Sequence, residues 1–339
     1  MSLVYPWAQP PAPGAVTAVA PGIRWLRMPL PFQLDHINLW LLEDEPGWTI
    51  VDTGAGLDDT QALWERIFAE RLDGRRVTRV VVTHFHPDHM GNAGWLNARW
   101  TTDLWCTQAE WLYAQFAWRT REAADAEPRL AHYRRHGCGE GVLARLRHRM
   151  NPYPELVPTL APEFHRLRDG DTLVIGGRRW EVLTVLGHAP EHACLWNREA
   201  GVLIAGDQVL PKITTNVSVW SEQPLGNPLR LYLDSFERFR PMAADTLVLP
   251  SHGLPFRGLH ARLAQLRDHH EARLGEALDA LLEPRSAAEL IPALFRRELD
   301  VHQWGFALGE SLAHLNFLEA DGRAARTVGE DGVHRFVKA

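Results

Sequence analysis

The stretch TRVVVTHFHPDHMGNAG, Thr78 to Gly94, decides how this chain is read. Val80-Val81-Val82 is continuous and β-branched, which predicts a strand buried on both faces. Straight after it, three histidines and one aspartate fall within six residues. In extended chain, residues two apart point the same way, so His84 and His86 can reach one metal ion from one side. Pro87 breaks the strand, and the turn lets Asp88 and His89 face a second position close by. Imidazole and carboxylate donors suit zinc, and iron or manganese would also accept them. A metal centre at a strand end is therefore the expectation.

The chain of 339 residues is 45% hydrophobic and 23% charged, as an ordinary globular protein is. A formal net charge of -6 gives no general pull toward nucleic acid or anionic membrane. Three widely spaced cysteines, with no CxxC pair, argue against a disulfide framework and against a thiolate zinc site. The N-terminus lacks the basic and apolar segments of a signal peptide. No apolar run reaches the roughly 18 residues of a spanning helix, so no membrane role and a cytoplasmic location are expected.

Short strands are expected at Ile23–Met28, His36–Leu42, Trp48–Val51, Val77–Val82, Thr172–Ile175, Trp180–Val185 and Val202–Ala205. The first twenty residues read as an irregular arm, and Leu57–Leu72 as a helix between two strands. Residues 107–160 read as a helical, lid-like insertion opened by a capping box at Thr107 and Glu110. Its eight arginines and no lysine are either a solvated surface or a wall for an anionic substrate. After Pro255 the strand pattern stops. Leu259–Leu282 carries one apolar helical stripe, Ser286 and Glu289 cap another helix, and a third, GESLAHLNFLEADG, starts at Gly309 and ends near Gly322. A closing hairpin turns at Glu330-Asp331-Gly332. The domains read as a catalytic unit at 1–258 and a winged-helix-like appendage at 259–339. Ten Lys/Arg against thirteen Asp/Glu in that appendage favour a packing or homodimer role over nucleic acid.

The HxHxDH register at 84–89 resembles the signature of the metallo-β-lactamase superfamily. LTVLGHAPEHACLW, VLIAGDQVL and TLVLPSHGLPF match that family's later positions at His188, Asp207 and His252, each following an apolar strand-like run. VDTG, Val51 to Gly54, matches as well. The resemblance spans roughly residues 20 to 258. It implies an α/β fold, the αββα sandwich of that family, with two divalent metal ions. One would be held by His84, His86 and His188, the other by Asp88, His89 and His252, with Asp207 bridging. Asp52 would orient a ligand histidine through its second ring nitrogen, and His192 would support the centre from behind. The all-His/Asp set is unlike that of true β-lactamases of this fold. It looks like that of glyoxalase II and its relatives, and of the β-lactamase-like protein 2 branch with its C-terminal winged helix.

Two cations about 3.5–4 Å apart supply a bridging hydroxide nucleophile at neutral pH, so hydrolysis is the expected class, with Asp88 and Asp207 as the catalytic carboxylates. A small anionic thioester or ester is the first expectation for substrate. The alternatives are an endoribonuclease of the β-lactamase-like protein 2 kind, a lactonase, and an iron redox enzyme. Lys212, Thr214, Thr215 and Asn216, just after Asp207, are candidate substrate contacts, with Lys212 best placed to meet an anion. Glu191 and His36, with Asn38 beside it, are further candidates for the pocket wall.

Overall fold

The computed structural model describes residues 2–120, 126–148, 152–296 and 298–339. Seven strands form one sheet: β1 Val16–Ala20, β2 Ile23–Pro29, β3 His36–Glu43, β4 Trp48–Val51, β5 Val77–Val81, β6 Asp103–Thr107 and β7 His165–Leu167, in that spatial order. The first four pair antiparallel and the rest parallel. A second sheet runs β12-β11-β10-β9-β8, from β8 Thr172–Ile175, β9 Arg178–Val185, β10 His192–Asn197, β11 Val202–Gly206 and β12 Leu247–Pro250. The two sheets meet through Trp25, Trp40, Val51 and Val81 of the first and Trp180, Val182, Leu195 and Ile204 of the second, all buried. Apolar contact at this scale is the main force that closes the sandwich.

Helices cover both outer faces. On the first sheet lie α1 Asp58–Arg71, α2 Pro87–Met90, α3 Ala93–Trp100, α4 Gln108–Arg119 and, further along the chain, α7 Tyr153–Leu156. Trp64, Ile67 and Phe68 of α1 and Leu96 of α3 pack there on Leu39, Leu41, Ile50 and Val80. The second sheet is covered by α8 Pro228–Asp234, α9 Leu259–Ala280, α10 Ala287–Leu294 and α11 Val301–Ala320, together with α5 Glu127–Arg135 and α6 Glu140–His148. A hairpin of β13 Ala324–Val328 and β14 His334–Lys338 ends the chain. The architecture is thus helix–sheet–sheet–helix with a C-terminal helical region. No described helix is long and apolar enough to cross a membrane.

Three local expectations fail. Val16–Ala20 is a strand, because it pairs with β2 instead of trailing as an arm. Helix α11 begins at Val301, a full two turns before the apolar stretch from Gly309 that marked it in sequence. Thr107 and Glu110 do not form a capping box: the Thr107 side chain makes no cap bond, and Glu110 is spent elsewhere. Ser286 and Glu289 do form theirs. The insertion is divided between the two layers. Ala114, Tyr153 and Leu156 pack with the first sheet, while Leu130, Tyr133, Leu143 and Leu146 join the core under α9–α11. Its described arginines sit mostly at the surface, with Arg134 and Arg147 paired to Glu127 and Glu140. Arg121 and Arg149 lie outside the described residues.

Candidate metal centre

Every candidate ligand stands where a strand of the sandwich ends. His84, His86, Asp88 and His89 follow β5, His188 follows β9, Asp207 follows β11, and His252 follows β12. His84 Nε2 lies 2.9 Å from His86 Nδ1 and 3.2 Å from His188 Nε2. On the other side, His252 Nε2 is 3.5 Å from Asp88 Oδ2, and His89 Nε2 is 3.7 Å from the same oxygen. Asp207 stands between the groups. Its Oδ2 faces His188 Nε2 at 3.5 Å, and its Oδ1 faces His89 and His252 at 3.6 and 3.3 Å. These contacts define three overlapping sets able to hold a metal ion: His84, His86, His188; His84, His89, Asp207; and Asp88, His89, His252.

The outer nitrogens of these rings show which way the protons lie. His89 Nδ1 donates to Asp52 Oδ2 at 2.9 Å, His188 Nδ1 to Asn216 O at 2.7 Å, and His252 Nδ1 to His36 O at 2.7 Å. His84 Nδ1 is 3.1 Å from Thr83 Oγ1, whose hydroxyl donates to Asp52. With those nitrogens protonated and both rings held neutral, the inner nitrogens of His84 and His188 present lone pairs to one another. His84 Nε2 and His188 Nε2 then face each other at 3.2 Å with no proton to share. His89 Nε2 and Asp207 Oδ1 are buried with no hydrogen-bond partner among the described residues. Buried lone pairs without a donor cost free energy, and a divalent cation removes that cost. The residues present fit the metal.

Electrostatics point the same way. Burial, with neighbouring imidazoles adding to it, holds His84 well below its ordinary pKa and His86 at about 3. They are neutral, as ligands must be. Burial also acts to lower His89 and His252, but carboxylates outweigh it. Asp52, Asp88 and Asp207 raise His89 well above its ordinary value, and Asp207 and Asp88 lift His252 to about 10. Negative charge gathered in this basin is balanced either by protons on these two rings or by the cations that would replace them.

The surrounding residues hold the loops. Asp52 sits at φ 60, accepts from Thr83 N at 2.8 Å, and so ties β4 to the 84–89 loop. His192 Nε2 accepts from Asp207 N at 3.1 Å, and its ring lies so close to Gly206 that a Cβ there would fall 2.3 Å from that nitrogen. Gly206, at φ 53, is needed on both counts. Thr215 donates through Oγ1 to Asp207 O, and Asn216 gives its carbonyl to His188, so both brace the centre rather than open onto it. Thr214 is half-buried and Lys212 exposed. His36 Nε2 accepts from Gly253 N at 3.0 Å, and Asn38 donates to Pro250 O and Gly253 O, which places both beneath the His252 loop. Glu191 accepts at Oε2 from Ala109 N, 3.1 Å away at the start of α4.

One residue escaped the sequence reading. Glu110 is fully buried, with Oε1 accepting from Glu191 N at 2.6 Å and Oε2 from Phe85 N at 2.9 Å. Burial lifts its carboxyl to about 7 against the pull of those two amides. A T-x-x-E pattern looks like a helix cap, and nothing in the sequence reveals partners 25 and 81 residues away.

Fold and site together define a metallo-hydrolase: residues 33–252 match the family described as the Metallo-beta-lactamase superfamily, to which the chain belongs, and 274–339 match Metallo-beta-lactamase-like, C-terminal domain. Among solved structures it is similar to a beta-lactamase domain protein from Burkholderia ambifaria, with 51% identity, a TM-score of 0.93, and 99% of this chain and 98% of that one covered. A metallo-beta-lactamase family protein from Thermus thermophilus follows at 32% identity and TM-score 0.79, covering 95% of this chain and all (100%) of the other. The protein named "Probable metallo-hydrolase YqjP" of Bacillus subtilis (strain 168) is 24% identical over 87% of this chain and 92% of its own length. Acyl-coenzyme A thioesterase MBLAC2 of Gallus gallus is 26% identical over 56% of this chain and 63% of its own length.

Proposed function

We propose that the protein hydrolyses a small thioester or ester with an apolar acyl part, using two divalent cations, zinc in the first instance. His84, His86 and His188 would hold one, Asp88, His89 and His252 the other, and Asp207 both. Cations in these positions supply Lewis acidity and a water of lowered pKa. Among the carboxylates, Asp88 has the most exposed side chain, at 15% against 11% for Asp207 and none (0%) for Asp52. Asp88 is therefore the group that can take a proton from the attacking water and pass it outward, while Asp52 and Asp207 stay as fixed counter-charges.

The observation that carries the substrate class is a small open cleft of about 70 Å³, lined by the apolar Val219, Pro228 and Leu231 with Tyr113 and Trp220, and by the polar Ser218, Glu222, Gln223 and Asn227. Tyr113 stands with its ring 5.5 Å from that of Phe85, between the first two histidines. Ser218 Oγ donates to Asn216 Oδ1, next to the carbonyl that holds His188. Leu112, Phe116 and Leu231 are exposed apolar side chains on the helices around it. Such walls suit an acyl chain better than a phosphodiester backbone, which calls for a basic groove. The relative named as an acyl-coenzyme A thioesterase supports the same class.

The test is turnover of acyl-CoA and glutathione thioesters, a lactone and single-stranded RNA by metal-quantified protein, with Asp207→Ala as control. Thioester hydrolysis at about two metals per chain, lost in the control, is expected. RNA cleavage with inert thioesters would overturn the proposal in favour of a ribonuclease, and iron with redox turnover would overturn both.

A further inference from the structure

Two loops supply the His84–His86–His188 group, one after β5 and one after β9, and among the described residues no backbone hydrogen bond runs directly between 84–86 and 188–191. Beside them Ala193 N donates to Thr83 O at 2.8 Å, and the loops themselves are joined through a third element. The Glu110 carboxylate, on the first turn of α4, receives Phe85 N with one oxygen and Glu191 N with the other. Phe85 lies between His84 and His86, and Glu191 lies three residues beyond His188. The partner side returns the contact: Glu191 accepts from Ala109 N, and Thr107 Oγ1 donates to Glu191 O at 2.7 Å. A fully buried carboxylate held by two amides, with neither Lys nor Arg among the groups that set its pKa, is an expensive way to fasten a helix. Its two oxygens sit where they fix the distance between the loops.

The geometry points to Glu110 as a positioning residue of the metal centre, one that sets the spacing between the 84–86 loop and the 188–191 loop and thereby the affinity of the His84–His86–His188 group for its cation. It touches neither metal nor substrate and acts only through two amides. The bond pattern makes the claim sharp. In Glu110→Gln the side chain keeps its shape, but its amide nitrogen would meet one backbone N–H donor to donor, so one loop is released. In Glu110→Asp the carboxylate remains but is one methylene too short to reach both amides. Loss of a support of this kind typically costs 10–100-fold in metal affinity.

This inference rests on the metal reading of the site, and cobalt(II) titration of the apo-protein separates the two. Cobalt is followed by its visible d–d bands, which distinguish the three-histidine group from the one that also carries Asp88. Wild type should bind about two cobalt ions; no binding would sink the metal reading itself. In Glu110→Gln and Glu110→Asp, the affinity of the His84–His86–His188 group should fall by about 10–100-fold while the other group keeps its own. Trp118→Phe, which removes the 3.0 Å bond from Trp118 Nε1 to Val157 O at the far end of α4 and touches neither loop, should lower the thermal midpoint and leave both cobalt affinities in place. Folded Glu110 variants with wild-type cobalt binding would overturn the inference. So would equal weakening of both groups, or failure of both variants to fold, since each would show that Glu110 holds the fold and not the loop spacing.

Discussion

Two clusters of buried histidines in this protein invite comparison. In the candidate metal centre the ring centroids of His84, His86 and His188 are 4.6 to 4.9 Å apart. At the other cluster, between α5 and β14, His132 and His136 are 4.7 Å apart and His136 and His334 5.2 Å. Spacing and burial are nearly the same, yet the chemistry is opposite. Around the centre, each outer nitrogen named above has an oxygen partner, and carboxylates stand among the rings. Neither ring nitrogen of His132 or of His136 has a hydrogen-bond partner among the described residues. Burial, then Arg135 and His334, hold His132 at about 4, while burial, then His132, His334, Arg326 and Arg135, hold His136 at about 3. Crowded imidazoles alone do not make a cation site. Fixed tautomers and nearby negative charge do.

That contrast can be broken at four places. The largest effect is expected for Asp207→Ala, which removes the one carboxylate facing both groups: metal content should fall below two per chain by elemental analysis. Hydrolysis should drop on the order of 10³-fold or more. Unchanged metal content would show that the two groups do not share this residue. Asp52→Asn keeps the shape but weakens the acceptor for His89 Nδ1, and zinc affinity measured against a chelator should fall about 10–100-fold.

His136→Leu tests the other cluster. Replacing a partnerless buried imidazole by an apolar group should leave metal content alone and change stability at pH 7 by no more than about 1 kcal/mol. The sign with pH is fixed. His132 and His136 titrate below the ordinary ~6.5 of an unfolded chain, so the unfolded state binds more protons and stability is lost as pH falls from about 6.5 toward 4. The urea midpoint should therefore drop less between pH 7 and pH 5 in His136→Leu than in wild type. An equal drop would mean that His136 does not contribute to acid sensitivity. The smallest effect belongs to Arg134→Ala, where an exposed guanidinium pairs with Glu127 and Glu140: urea unfolding should change by less than about 0.5 kcal/mol, with activity intact. A marked loss of activity would restore the insertion's arginines as a substrate wall.

Some of this was open to reading residue by residue. The 84–89 run is local, and the alternation of an extended chain broken by Pro87 carries its meaning within six positions. His188, Asp207 and His252 each follow an apolar run, which marks a strand end without any knowledge of partners. Ser286 and Glu289 cap their helix because both halves of that device are four residues of one turn. Where partners are distant the signal vanished. Val16–Ala20 carries only ordinary residues and becomes a strand by pairing with β2. Thr107 and Glu110 carry the cap pattern and do something else, because Phe85 N and Glu191 N come within reach only after folding.

By itself, then, the sequence determined the donor types at 84–89 and their place at a strand end, since these follow from periodicity and from chemistry confined to a few neighbouring residues, while the later donors and the sandwich that orders them came through the family resemblance. Only the tertiary structure decided that Asp207 faces both groups and that Glu110 spans two loops. It also decided that the described arginines of the insertion lie mostly at the surface and that His132, His136 and His334 meet beside Arg135 and Arg326. Those outcomes depend on side chains tens to hundreds of positions apart arriving at one place, and the free energy that brings them there is spread over the whole core rather than written in any one segment.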